Sequence, residues 1–264
     1  MKTARCVLAS LAFAAVACGG DTGQTTSNPA YAWHDSVMAA LGGEDAWERT
    51  RYLKFRWNVY RDGALVSDRV HHWDRYDGDY RLDLMVGGGG AHGAEHPVTV
   101  LFDVDTREGR AFMGGEPMDA AMADSLVERA YGMFINDSYW LLMPYKWRDP
   151  GVNLEHVGAE SDDDGDWQVF HLSFDSVGLT PGDQYWVYVS DDPPHLVGKW
   201  RYHLQSMDEV GPFIYWRDWQ EFGDIMLATQ REPASPGFRI EFTEIEASRS
   251  VPEGVFEPPA GASP

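Results

Sequence analysis

Several groups of residues in this 264-residue chain are of types that do chemistry. Asp162-Asp163-Asp164-Gly165-Asp166 places four carboxylates within five positions, a composition that suits calcium. The alternating acidic spacing and distant Glu of an EF-hand loop are missing, so a solvated hairpin tip fits better. His71-His72 is the only adjacent pair among nine histidines. Neighbours on a strand point to opposite faces, so the two do not share one metal ion. Gly87-Gly88-Gly89-Gly90-Ala91-His92-Gly93 formally contains G-x-G-x-x-G after a strand. A dinucleotide cradle needs a helix next, but Pro97 and the apolar run Val98–Val104 follow, which predicts a loop. There is no H-E-x-x-H, G-x-S-x-G or P-loop pattern. The chain is rich in carboxylates, but no spacing singles out an acid/base pair. Trp140, Trp147, Tyr185, Trp186, Tyr188, Trp200, Tyr202, Tyr215, Trp216 and Trp219 are more suggestive. They are spread over both faces of adjacent strands, too many for one thin core. They are either packing residues or, in part, the lining of a ligand cavity.

Cys6 and Cys18, the two cysteines, lie near the N-terminus and form no metal-site or disulfide pattern. Lys2 and Arg5 precede the apolar small-residue run Cys6–Ala17, which is too short to span a bilayer and reads as a signal peptide, residues 1–17. Ala15-Val16-Ala17-Cys18 resembles a bacterial lipobox, cleaved before a cysteine that becomes acylated. Ala15 stands where leucine is usual. The alternative is an ordinary secretory signal with Cys18 incidental. A multiply acylated Cys18, carrying palmitate among its chains, anchors the protein to a membrane. Residues 18–29, rich in Gly, Thr, Ser and Gln, then form a flexible tether. Gly19 after the cysteine favours the outer membrane under proteobacterial sorting rules.

The net charge of -21 disfavours nucleic acid as a partner, because phosphate binding needs clustered Lys and Arg. No cofactor is expected.

The elements that would position these residues are mostly strands. Leu53, Phe55, Trp57 and Val59 alternate with Lys54, Arg56 and Asn58, the pattern of a half-buried strand. Turn residues at Asp62-Gly63, Asp77-Gly78, Asp164-Gly165, Pro181-Gly182 and Gly223-Asp224 separate about twelve such runs. Tyr31–Leu41 predicts a short helix ended by Gly42-Gly43, and Glu44–Arg49 a further turn. One long amphipathic helix interrupts the strands over Glu116–Met143, with Pro117 in its first turn and Pro144 at its end. Met118, Met122, Leu126, Ala130 and Phe134 recur every four residues on it, with Met133 alongside. A break is expected at Asn136-Asp137-Ser138. The helix is either ordinary core or a lid over an apolar cavity, because Met adapts to irregular partners. The expected fold is mainly β (α+β), a curved half-open antiparallel barrel of 11–12 strands with a helical lid. It occupies residues 30–258, followed by a tail over 259–264.

This order of lipobox, tether, short helix, strands, helical insert and further strands resembles the LolA/LolB-like lipoprotein carrier superfamily. Asn136–Val152, Val177–Val189 with Gly178-Leu179-Thr180-Pro181-Gly182-Asp183, and Val255-Phe256-Glu257-Pro258-Pro259 are similar to a branch of exported bacterial proteins with that fold. The resemblance implies binding of acyl chains or other hydrophobic ligands within the barrel, in the bacterial envelope and facing the periplasm. The expected function is therefore non-enzymatic: a lipid-anchored protein that binds a lipid under a helical lid. The ligand-binding candidates are Leu53, Phe55, Trp57, Val59, Leu82, Leu84, Met122, Leu126, Met133 and Phe134. The alternatives are a structural or interaction lipoprotein whose barrel is filled by its own side chains and, third, an envelope hydrolase.

Overall fold

A computed structural model describes residues 28–87, 95–235 and 237–260. Cys18 and most of the Gly87–Gly93 run lie outside these residues. Two helices open the described chain, α1 (Pro29–Ala40) and α2 (Glu44–Arg49). The Asn28 side chain accepts from the Ala30 N–H at 3.1 Å and Pro29 takes the first helical position, so α1 begins two residues before the sequence suggests.

Thirteen strands form one antiparallel sheet: β1 (Tyr52–Arg61), β2 (Ala64–Asp74), β3 (Asp79–Gly87), β4 (Glu95–Asp103), β5 (Gly109–Met113), β6 (Glu116–Pro117), β7 (Val152–Asp162), β8 (Gly165–Phe174), β9 (Gln184–Ser190), β10 (Val197–His203), β11 (Ile214–Phe222), β12 (Ile225–Pro233) and β13 (Phe238–Ser248). The spatial order is β6-β5-β4-β3-β2-β1-β13-β12-β11-β10-β9-β8-β7. The sheet is not closed; β6 and β7 are its two edges. Almost every strand pairs with its sequence neighbour, as the hairpin turns require. The exceptional pairing is β1 with β13, which runs from Tyr52 opposite Ser248 to Arg61 opposite Phe238.

The thirteenth strand corrects the expected start of the long helix. Glu116 and Pro117 pair back onto Met113 and Phe112 across Gly114-Gly115. Both glycines have positive φ, +61° and +89°, which two-residue hairpin turns demand. The helix α3 (Ala120–Leu142) therefore starts later, capped by Asp119, whose carboxylate accepts from the Met122 N–H at 3.1 Å. It runs unbroken through Asn136-Asp137-Ser138 and tightens into a 3-10 helix, Met143–Lys146.

The buried stripe of α3 also differs in phase. Ala123, Val127, Ala130, Phe134, Asp137, Ser138 and Leu141 face the sheet, while Met122 is 50% exposed. A step of four residues overshoots a full turn by about 40°. A strict every-four series therefore winds off the buried face, whereas mixed steps of three and four stay on it.

The amino-terminal half of α3 covers β3, β4 and β5, packing against Tyr80, Leu82, Val98, Val100, Phe102 and Ala111. Its end, α1 and the 3-10 helix cover the other strands in a larger core that holds Trp147, Trp200 and Trp216. Buried Arg231 on β12 fastens this end: Nε and Nη2 donate to the Trp140 carbonyl at 3.1 and 2.6 Å. Its guanidinium lies 3.4 Å from the Trp216 ring centroid. Burial pushes the Arg231 pKa well below its ordinary value.

Candidate functional site

The carboxyl-terminal half of α3 carries one buried ionised group. Asp137 is fully enclosed and takes a two-pronged bond from Arg69 of β2, at 2.5 Å from Nε and 2.7 Å from Nη2. His71 Nε2 lies 2.9 Å from the same carboxylate, and His71 Nδ1 is 2.7 Å from the Tyr80 hydroxyl. Burial pushes the Asp137 pKa up, but His71 and Arg69 outweigh it and hold the group below the usual carboxylate range. Burial lowers the His71 pKa despite Asp137. A neutral imidazole whose Nδ1 accepts from Tyr80 carries its proton on Nε2, close to the carboxylate but not aligned for a full hydrogen bond to it. His72, on the opposite face, meets the Tyr52 hydroxyl at 2.7 Å instead.

Over the same stretch, Gly132 to Trp140, α3 forms a wall of an apolar cavity of about 480 Å3. Phe134, Tyr139 and Trp140 come from the helix, and Tyr185 and Tyr202 from β9 and β10. Phe174, Val177 and Leu179 come from the end of β8 and the loop that follows. The rings are in contact: Tyr139 and Tyr185 centroids are 5.2 Å apart, Tyr139 and Phe174 6.0 Å, Trp140 and Tyr202 6.0 Å. Buried Trp200 packs behind this lining, 5.0 Å from both Trp140 and Tyr185. Gly151 lets the loop close up: at φ +83° it sits so near Val177 that a Cβ there would fall 2.4 Å from a Val177 methyl. Polar groups gather at the rim. Lys146 Nζ is 2.7 Å from Asp149 Oδ2. Buried Asp183 accepts from Thr180 Oγ1 at 2.6 Å and the Gln205 N–H at 2.8 Å.

The structure distributes the ten sequence candidates as follows. Leu53, Phe55, Trp57 and Val59 lie in the larger core. Leu82, Leu84, Leu126, Met133 and Phe134 meet in the cluster beneath α3. Met122 faces outward. Phe134 alone of the ten also lines the cavity. Three of the ten singled-out aromatics, Trp140, Tyr185 and Tyr202, line it too. Val177, Leu179 and Tyr139 were missed because a loop and a helix end carry no period. The signal lay elsewhere, in the segments Asn136–Val152 and Val177–Val189 that carry the resemblance: both converge on this cavity. The acidic run has a structural partner. Asp162 and Asp164 flank the buried ammonium of Lys199, which sits 4.7 Å from the Trp167 and Phe213 ring centroids. Lys199 lowers the Asp162 pKa to about 2.

No protein-family model matches the chain, and no curated protein matches it. Solved structures do. A LolA superfamily protein from Nitrosomonas europaea is similar at 13% identity and TM-score 0.46, over 84% of this chain and 96% of that one. A DUF1329 family protein from Desulfovibrio piger is similar at 10% identity and TM-score 0.43, over 88% and 98%. The lipoprotein LppX of Mycobacterium tuberculosis is similar at 10% identity and TM-score 0.30, over 84% and 98%. The neighbours thus include the superfamily that the sequence resembles, and the case for function rests on the geometry of this chain.

Proposed function

We propose that the chain is a non-enzymatic envelope lipoprotein that holds one hydrophobic chain in the cavity between α3 and β8–β10, with α3 as its lid. The observation that carries this is the cavity itself. It is lined by Phe134, Tyr139, Trp140, Phe174, Tyr185 and Leu179, in the size range of small-molecule sites. The cavity, about 480 Å3, has room for a long acyl chain. Burial of such a chain is worth about 0.8 kcal/mol per methylene before ordering costs.

Native mass spectrometry of protein purified from its own host tests this. One copurified lipid per chain is expected. Bare protein that also takes up no added long-chain ligand contradicts it and leaves the self-filled alternative. That alternative has its own support in the larger core, where Trp147, Trp200 and Phe55 fill the space beside the sheet.

Membrane attachment is proposed through acylated Cys18. Cys18→Ser is expected to move the protein from the membrane to the soluble envelope fraction on ultracentrifugation. Unchanged fractionation, with no acyl mass on the parent, contradicts the anchor.

A further inference from the structure

We propose that the cavity selects an uncharged chain bearing an ester or ether oxygen, and discriminates against a free fatty-acid anion. This rests on the ligand-binding role proposed above. Among the described residues lining the cavity, Lys146 is the single basic one, and it is already paired with Asp149. Asp183 adds a second carboxylate at the rim. The fixed charge facing a ligand head is therefore net negative, in a low-dielectric setting where a carboxylate has no unpaired cation to meet.

Two donors await an acceptor instead. Tyr139 and Tyr185 line the cavity side by side, and neither hydroxyl hydrogen-bonds to another described residue. Tyr185 is 7% exposed and Tyr139 half-buried, and neither hydroxyl is among the enclosed polar atoms left without a partner, so both meet solvent through the open side of the cavity. Burial raises both tyrosine pKa values, and the nearby carboxylates raise them further, which keeps both hydroxyls protonated as donors. A chain that enters displaces this solvent, and a hydroxyl left without a partner is costly, so a ligand that supplies an acceptor here gains relative to one that does not. A neutral carbonyl or ether oxygen does so without bringing a charge into the cavity. A hydrocarbon fills the space but leaves both hydroxyls unsatisfied.

The test is displacement of Nile red from the full-length protein at pH 8 by three ligands of matched chain length: methyl palmitate, palmitate and hexadecane. Methyl palmitate is expected to compete about tenfold better than palmitate. Tyr185→Phe and Tyr139→Phe, which keep the ring, are expected to weaken methyl palmitate about three- to tenfold and to leave hexadecane no weaker than in the parent. Asp149→Asn is expected to narrow the gap between ester and acid. Palmitate binding as tightly as the ester overturns the proposal, as does a parallel loss of ester and hexadecane in the Phe variants. In either case hexadecane binding still supports the cavity. If Nile red and all three ligands fail to bind, the ligand-binding role falls and this proposal with it.

Discussion

Asp137→Ala is expected to lose about 3–5 kcal/mol of stability, read as a lower midpoint in urea unfolding. The cost comes less from the contact than from what it leaves behind. Arg69 and His71 would stay in the interface between α3 and β2 with no acceptor for their N–H groups. The cation–π contact of Arg69 with Trp57, 5.4 Å from the ring centroid, does not replace a carboxylate. Replacing the whole set by apolar residues of similar volume, Arg69→Met with His71→Phe, Tyr80→Phe and Asp137→Leu, is expected to recover most of the loss. A loss below about 1 kcal/mol for Asp137→Ala would mean that water reaches the site and solvates the orphaned groups.

Acid is expected to weaken the fold well above the carboxylate range. His34 and His72 have pKa values lowered to about 4. Burial is the main cause for both, with Arg148 adding at His34, and Asp83 opposing at His72. Burial lowers His71 as well. The sign follows from which state binds protons first. As pH falls below the unfolded value near 6.5, the unfolded chain protonates while the folded imidazoles stay neutral. Their contribution is full above about pH 6.5 and is lost as pH falls towards 4. Each such histidine contributes up to about 1.4 kcal/mol per pH unit across that window. Easing of acidic repulsion near the pI of 4.6 opposes this, so a net loss of about 3 kcal/mol between pH 6.5 and 5 is expected. Urea unfolding at half-unit pH steps measures it. A midpoint that is flat or rises on acidification contradicts it.

The strands were legible in the sequence because their turns carry their own chemistry and their faces alternate. Leu53, Phe55 and Trp57 are buried as the alternation requires. The start of α3 was not legible, because Pro117 suits both a first helical turn and a hairpin strand. The Gly114-Gly115 turn, whose glycines both take the positive φ of a tight hairpin, decided between them. The expected break at Asn136-Asp137-Ser138 failed for a related reason. Three polar residues in a row resemble a loop, but Asp137 faces an arginine and a histidine 68 and 66 positions away in sequence, a pairing no local window contains. The cavity was half legible. Aromatic excess over β9 and β10 pointed towards it, while the loop bearing Val177 and Leu179 has neither period nor charge pattern.

The pairing of β1 with β13 has a kinetic consequence. Each flank of the sheet is a run of neighbour-to-neighbour hairpins, which form quickly because their loops are short. The β1–β13 seam instead joins the two ends of the described chain, and the entropy of closing so long a loop must be met before its hydrogen bonds return anything. The flanks therefore zip first as separate meanders, and the seam is the last register to be found. Until then, two strands rich in apolar side chains, Tyr52–Arg61 and Phe238–Ser248, each keep one edge open to other molecules. Misassembly of this protein during folding would begin there rather than at the outer edges β6 and β7.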